Sequence, residues 1–182
     1  MLLAGALALV TVAGCGADAV GSQPNRPSGR AEAGAPLPRS LDANTINFAG
    51  LRDIELGASL RELSAAGAVA TEGPACGPTF TTISAASPVF DGDRLVLIWA
   101  HAPLHTPEGV MVGSSVAEVR QAYPSAVPLT PPPGSSTFPG LLVTGGGDRA
   151  YLLLHADGQV QKLIVGLERY VRLLFDSGFG TC

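Results

Sequence analysis

Leu56-Gly57-Ala58-Ser59-Leu60-Arg61-Glu62-Leu63 and Val112-Gly113-Ser114-Ser115-Val116-Ala117-Glu118-Val119 are the two stretches that decide the fold, and they align at a constant offset of 56 residues. Each holds a glycine, a Ser-x-x-Glu capping box and aliphatic residues three apart. In such a box the serine oxygen accepts from the backbone N–H three residues on, and the glutamate reaches back to the serine N–H, satisfying donors that a helix start leaves open. Ser59 with Glu62 and Ser115 with Glu118 therefore predict two short helices. The first buries Leu60 and Leu63 and stops at Gly67, which suits a left-handed C-terminal position. The second buries Val116, Val119 and Tyr123 and stops before Pro124, because a residue preceding proline is pushed out of the helical region. The same Ser and Glu side chains could be read as nucleophile and base, but capping explains both copies at once.

Strands and turns follow each helix. Residues 79–85 alternate loosely, Asp91-Gly92-Asp93 is a turn, and 94–102 is a strand with the apolar centre Leu95-Val96-Leu97-Ile98-Trp99. In the second copy 140–144 is a strand, Gly145-Gly146-Gly147-Asp148 a turn, 149–156 a strand, Asp157-Gly158 a turn and 159–167 an alternating strand. Gly-Asp-Arg recurs at 92–94 and 147–149, which aligns the copies as helix followed by antiparallel meander. Residues 101–109 form a connector, and 128–139 a proline-rich loop inside the second copy. The expected fold is α+β, with two tandem repeats at 46–104 and 105–182, each a short capped helix on an antiparallel sheet.

That pattern resembles the tandem-repeat fold of the β-lactamase-inhibitory protein and of the small outer-membrane-assembly lipoproteins that carry one such unit. The junction His105-Thr106-Pro107-Glu108-Gly109-Val110, with the second capping block after it, is also similar to lipoproteins of actinobacteria built on this repeat. The resemblance covers about 50–182. The inhibitory protein has a disulfide in each repeat, whereas this chain has too few cysteines for that, so none of its contact residues is carried over.

Ahead of the repeats, 2–15 read LLAGALALVTVAGC. The apolar run is shorter than the roughly 20 residues of a membrane-spanning helix and closes on small residues, as a signal segment does. Val12-Ala13-Gly14-Cys15 resembles the lipobox of bacterial lipoproteins, which implies cleavage and a diacylglyceryl thioether on Cys15. No Lys or Arg precedes the run, and the expectation is a translation start upstream of Met1. Residues 16–45 hold four prolines, no aromatic residue and few aliphatics. They cannot bury enough apolar surface to offset their ordering entropy and read as a disordered tether, spanning on the order of 30 Å.

Composition narrows the partners. Net charge is −4 and the eleven basic residues, ten Arg and the single Lys162, form no cluster, which speaks against nucleic acid. Cys76 and Cys182 remain once Cys15 is lipidated. In an oxidising compartment they read as a disulfide, contributing about 4–5 kcal/mol in the chain-entropy picture; a free C-terminal thiol is the competing reading.

Catalytic chemistry is hard to find. His101 and His105 are four apart, a metal-ligand spacing on a helix, but Pro103 stands between them. His155 ends the equivalent strand of the second copy, so the three could gather at one end of the sheet; solvated or singly bonded histidines are the simpler reading. Asp91 and Asp93 flank Gly92 as turn residues and lack the further carboxylates of a calcium loop. Gly145-Gly146-Gly147-Asp148 lacks the Gly-Lys-Ser/Thr ending of a phosphate loop. No nucleophile elbow, His-Glu-x-x-His or Cys-x-x-Cys occurs. The expected function is a non-catalytic lipoprotein on the extracytoplasmic face of the cell membrane, with no metal or cofactor. Its sheet would meet an envelope or secreted protein through exposed side chains such as Trp99, Tyr151 and His155. The rivals are a metal-binding or hydrolytic envelope enzyme using His101, His105 and His155, and a structural spacer without a specific partner.

Overall fold

Leu95-Val96-Leu97-Ile98 and Ala150-Tyr151-Leu152-Leu153 are apolar at every position, and strands of that kind must be covered on both faces. In the computed structural model, which describes residues 42–72, 77–135 and 137–179, all eight of these side chains are fully buried. Strands β1 (Ile46–Asn47), β2 (Gly50–Leu51) and β3 (Ile54–Glu55) form a small antiparallel sheet that leads into helix α1 (Leu60–Ala65). Strands β4 (Val69–Ala70) and β5 (Thr79–Phe80) pair with each other, and β6 (Ala86–Asp91) and β7 (Arg94–Ala100) follow. Helix α2 (Val116–Ala122) precedes β8 (Val127–Leu129), β9 (Gly140–Thr144), β10 (Arg149–Ala156) and β11 (Gln159–Leu167), and helix α3 (Glu168–Ser177) comes last. Six strands make one antiparallel sheet in the order β6-β7-β11-β10-β9-β8.

The strands expected at 140–144, 149–156 and 159–167 have those bounds. The expected strand at 94–102 ends two residues early, at Ala100, where a turn closes through the Leu104 N–H and the His101 carbonyl at 2.9 Å. Of 79–85 only Thr79 and Phe80 are extended, and the proline-rich loop begins with an unforeseen strand, β8. Pro128 is tolerated there because an edge strand leaves one side of its backbone unpaired.

Both helices start where the capping boxes place them. Ser115 Oγ accepts from the Glu118 N–H at 3.2 Å, and the Ser115 N–H donates to Glu118 Oε2 at 2.7 Å. At α1 only half of the box forms: Ser59 Oγ accepts from the Glu62 N–H at 3.3 Å, and the Ser59 hydroxyl donates to Asp93 Oδ2 at 2.8 Å. The α1 end is a Schellman motif, with the Gly67 N–H on the Ser64 carbonyl and the Ala68 N–H on the Leu63 carbonyl, and Gly67 at φ +73°. Leu60 and Leu63 are half-buried against the core, whereas Val119 and Tyr123 are buried.

The two long hairpins share a register. In β6–β7, Ala86 pairs with Ala100, Pro88 with Ile98 and Val89 with Leu97; Val96 is then skipped, and Phe90 pairs with Leu95 and Asp91 with Arg94. Adding 65 to each number gives β10–β11: Tyr151 with Val165, Leu153 with Leu163, Leu154 with Lys162, then, skipping Gln161, His155 with Val160 and Ala156 with Gln159. Each helix start docks on the turn of one hairpin. The Gly57 N–H bonds Leu95 O, the Leu95 N–H bonds Ala58 O and the Leu60 N–H bonds Asp93 O, at 2.8, 2.9 and 2.8 Å. Gly113 with Val160, Val160 with Ser114, and Val116 with Gly158 repeat this at 2.8, 2.8 and 2.9 Å. Gly57 and Gly113 have φ of +93° and +94°, a conformation that selects glycine at both positions. The turn at Gly92-Asp93 thus corresponds to Asp157-Gly158. The second Gly-Asp-Arg, used above to align the copies, lies instead between β9 and β10, where the Gly145 N–H bonds the Arg149 carbonyl.

Helix α3 is another element not expected from sequence, because β11 runs into it without a Pro or a capping side chain. The Glu168 N–H bonds the Asp148 carbonyl at 2.6 Å instead, and Arg172 pairs with Glu168 at 2.8 Å one turn on. Its apolar face, Tyr170, Val171, Leu174 and Phe175, covers the sheet surface that bears Leu97, Gly166, Leu152 and Gly140. Tyr151 points to the opposite surface. It is 0% exposed, its ring stacks on Phe48 at 4.1 Å, Tyr123 lies at 5.9 Å, and its hydroxyl donates to the Ile46 carbonyl at 3.3 Å. The expectation that Tyr151 offers a surface contact is therefore corrected, since the segment around β1 and the end of α2 cover it.

Candidate functional site

Among the described residues no three of His, Cys, Asp and Glu stand close enough to hold a metal ion. The histidines do not converge. His101 is exposed after β7, and His155 is half-buried near the end of β10. His105 turns its Nδ1 to the Thr106 carbonyl at 2.9 Å and its Nε2 toward Asp42 at 3.4 Å. The Asn44 N–H, which Asp42 accepts at 2.7 Å, does most to lower the Asp42 pKa.

Several carboxylates are held by hydrogen bonds. Asp93 accepts from the Ser59 hydroxyl at 2.8 Å and the Arg61 N–H at 3.0 Å, and these bonds, the Ser59 one foremost, lower its pKa. Glu118 is lowered by the Ser115 N–H and then by the Ser115 hydroxyl. Asp91 accepts from the Tyr170 hydroxyl at 2.5 Å, which raises the tyrosine pKa. Glu108 accepts from Tyr123, whose pKa is pushed far up, first by burial and then by this bond. Ser59, Ser115 and Glu118 thus act at helix starts, as their spacing implies, whereas Glu62 contributes there its backbone N–H alone. Cys15, Cys76 and Cys182 lie outside the described residues.

One surface feature combines exposure with chemistry. Beside α3 the sheet surface opens into a groove of about 190 Å³, floored by Leu154 and walled by Leu174 and Phe175 of α3. Trp99 of β7 and Lys162 of β11 form one side, with the lysine Nζ 5.1 Å from the centre of the indole ring. Thr137, Phe138 and Gly178 complete the lining. Phe138 is 39% exposed, and Trp99 is half-buried although the strand around it is fully covered. Strand pairing aligns these groups: Trp99 faces Ile164, which faces Leu152, and Lys162 faces Leu154. Of the three contacts expected from sequence, only Trp99 lies in this groove. Phe138 and Lys162 went unrecognised, since a phenylalanine inside a proline-rich loop and an isolated lysine carry no periodic signal.

Lys162 is the only lysine of the chain and, among the described residues, the only charged side chain lining the groove. Among the described residues it makes no ion pair. Among the described residues the arrangement offers an apolar floor, aromatic walls and one cation, which suits binding. Among the described residues no helix is long and apolar enough to cross a membrane. Compared with protein-family models, with curated proteins and with solved structures, the chain matches none.

Proposed function

We propose that this chain is a non-catalytic, lipid-anchored module on the extracytoplasmic face of the membrane, which binds an envelope or secreted protein through the groove beside α3. The observation that carries the binding reading is Trp99 and Phe138 partly exposed around a cavity whose one charge among the described residues is Lys162. Aromatic residues that keep exposed area beside a pocket are the usual anchors of protein interfaces. The lipobox resemblance at Cys15 and the polar, proline-rich stretch at 16–45 support the anchor and its tether.

We also infer that the fold consists of two copies of one helix-plus-sheet unit. The register shared by the two hairpins, the skipped residues Val96 and Gln161, and the matching bonds at Gly57 and Gly113 support it. Under the same numerical relation Trp99 corresponds to Ile164, its direct partner across β7 and β11, so the two copies would meet at the rim of the groove.

Two experiments test the reading. Labelled palmitate should enter the full chain in its native envelope and be lost in Cys15→Ser; a labelled serine variant would defeat the anchor. A photo-crosslinking residue at Phe138 should give a discrete protein adduct that the same residue at exposed Gln121 does not give. Identical products from both positions would defeat the groove.

A further inference from the structure

We propose that the groove takes one apolar side chain of an extended peptide segment of the partner, with an adjoining carboxylate of that segment paired to Lys162; this rests on the binding role proposed above. Size points to a single side chain. Sites for whole small molecules typically run from about 300 to 1,000 Å³, and this cavity of about 190 Å³ falls short of that. Its shape agrees, with a floor and wall of buried Leu154, Leu174 and Phe175 and a rim of Trp99 and Phe138 that stays partly exposed. That is the form of an anchor pocket within a larger contact, not of an enclosed ligand cavity.

Charge points to an acid. Among the described residues Lys162 is the only charged side chain of the lining, and no carboxylate lines the groove. The ammonium lies above the Trp99 face, where the ring holds it without neutralising it. A carboxylate next to the anchoring side chain would meet this cation, whereas a basic residue there would be repelled.

Trp99 is the only tryptophan of the chain, so its fluorescence reports on the groove directly. The full chain in detergent would be titrated with acetyl-Phe-Glu-amide, its neutral analogue acetyl-Phe-Gln-amide, and 3-phenylpropionate, with Lys162→Gln run in parallel. Lys162 is exposed, so the variant keeps the core intact. The expected result is a saturable Trp99 change with the acidic peptide favoured about three- to five-fold over the neutral one, as for a solvent-exposed ion pair. In Lys162→Gln that preference should vanish while both peptides still bind. Equal binding of the two peptides, absence of a Trp99 response, or an acid preference surviving in Lys162→Gln would overturn the proposal. Tighter binding of 3-phenylpropionate than of the peptide would overturn the peptide assignment. Each of these can occur with the crosslink at Phe138 intact, so the two readings fail separately.

Discussion

The hydroxyl of Ser59 donates to the carboxylate of Asp93 at 2.8 Å, across 34 residues of sequence. This bond ties the start of α1 to the β6–β7 turn, and the second carboxylate oxygen holds the Arg61 N–H at 3.0 Å. Removing the cap by Ser59→Ala should cost about 1 kcal/mol, a drop of about 4 °C in melting temperature. Asp93→Asn should also lower the midpoint, and the double variant should lose less than the two singles combined, because they share one interaction. Additive losses in thermal melts would count against the coupling.

Acid should weaken the same places. The pKa values of Asp93 and Glu118 are lowered by the hydrogen bonds they accept, from ordinary values of 3.8 and 4.5. A carboxylate with a lowered folded-state pKa binds its proton more readily in the unfolded chain. Its contribution is therefore complete above the ordinary value and fades as pH falls through the folded value. Melting temperature should decline as pH falls below the ordinary carboxylate range, and Asp93→Asn with Glu118→Gln should flatten that decline. An unchanged slope in the double variant would refute these groups as its source.

Gly166 sits where the sheet and α3 come closest. A Cβ there would lie 2.4 Å from Leu97 Cδ2, 2.7 Å from the Val96 carbonyl oxygen and 3.2 Å from Val171 Cγ2. The carbonyl belongs to the backbone of β7 and cannot yield, so Gly166→Ala should destabilise by about 1–3 kcal/mol. At Gly146 nothing lies within 4 Å, and Gly146→Ala should change stability by less than about 0.5 kcal/mol. Denaturant titration of both variants checks the contrast, and equal effects would contradict the close approach.

If Cys76 and Cys182 form a disulfide in the exported chain, neither should react with an alkylating reagent before reduction, and their peptides should be recovered linked by mass spectrometry. Reduction should then lower stability by about 4–5 kcal/mol. Two alkylated thiols in the unreduced protein would establish the free-thiol alternative.

What the sequence determined by itself is local. Ser-x-x-Glu and glycine specified the starts of α1 and α2, apolar runs between turn residues gave the bounds of β9, β10 and β11, and Ser59, Ser115 and Glu118 were legible as caps, because each of these depends on neighbours within about four residues. The tertiary structure decided the rest. It joined strands from both halves of the chain in one sheet, laid α3 over one surface and thereby made a groove of Trp99, Lys162 and Phe138. It also buried Tyr151 under Phe48, and it brought Asp93, 34 residues away, onto the Ser59 hydroxyl. Burial and partnership are set by residues far apart in the chain, and a pattern of period two or 3.6 records which side of an element is apolar, not what comes to cover it.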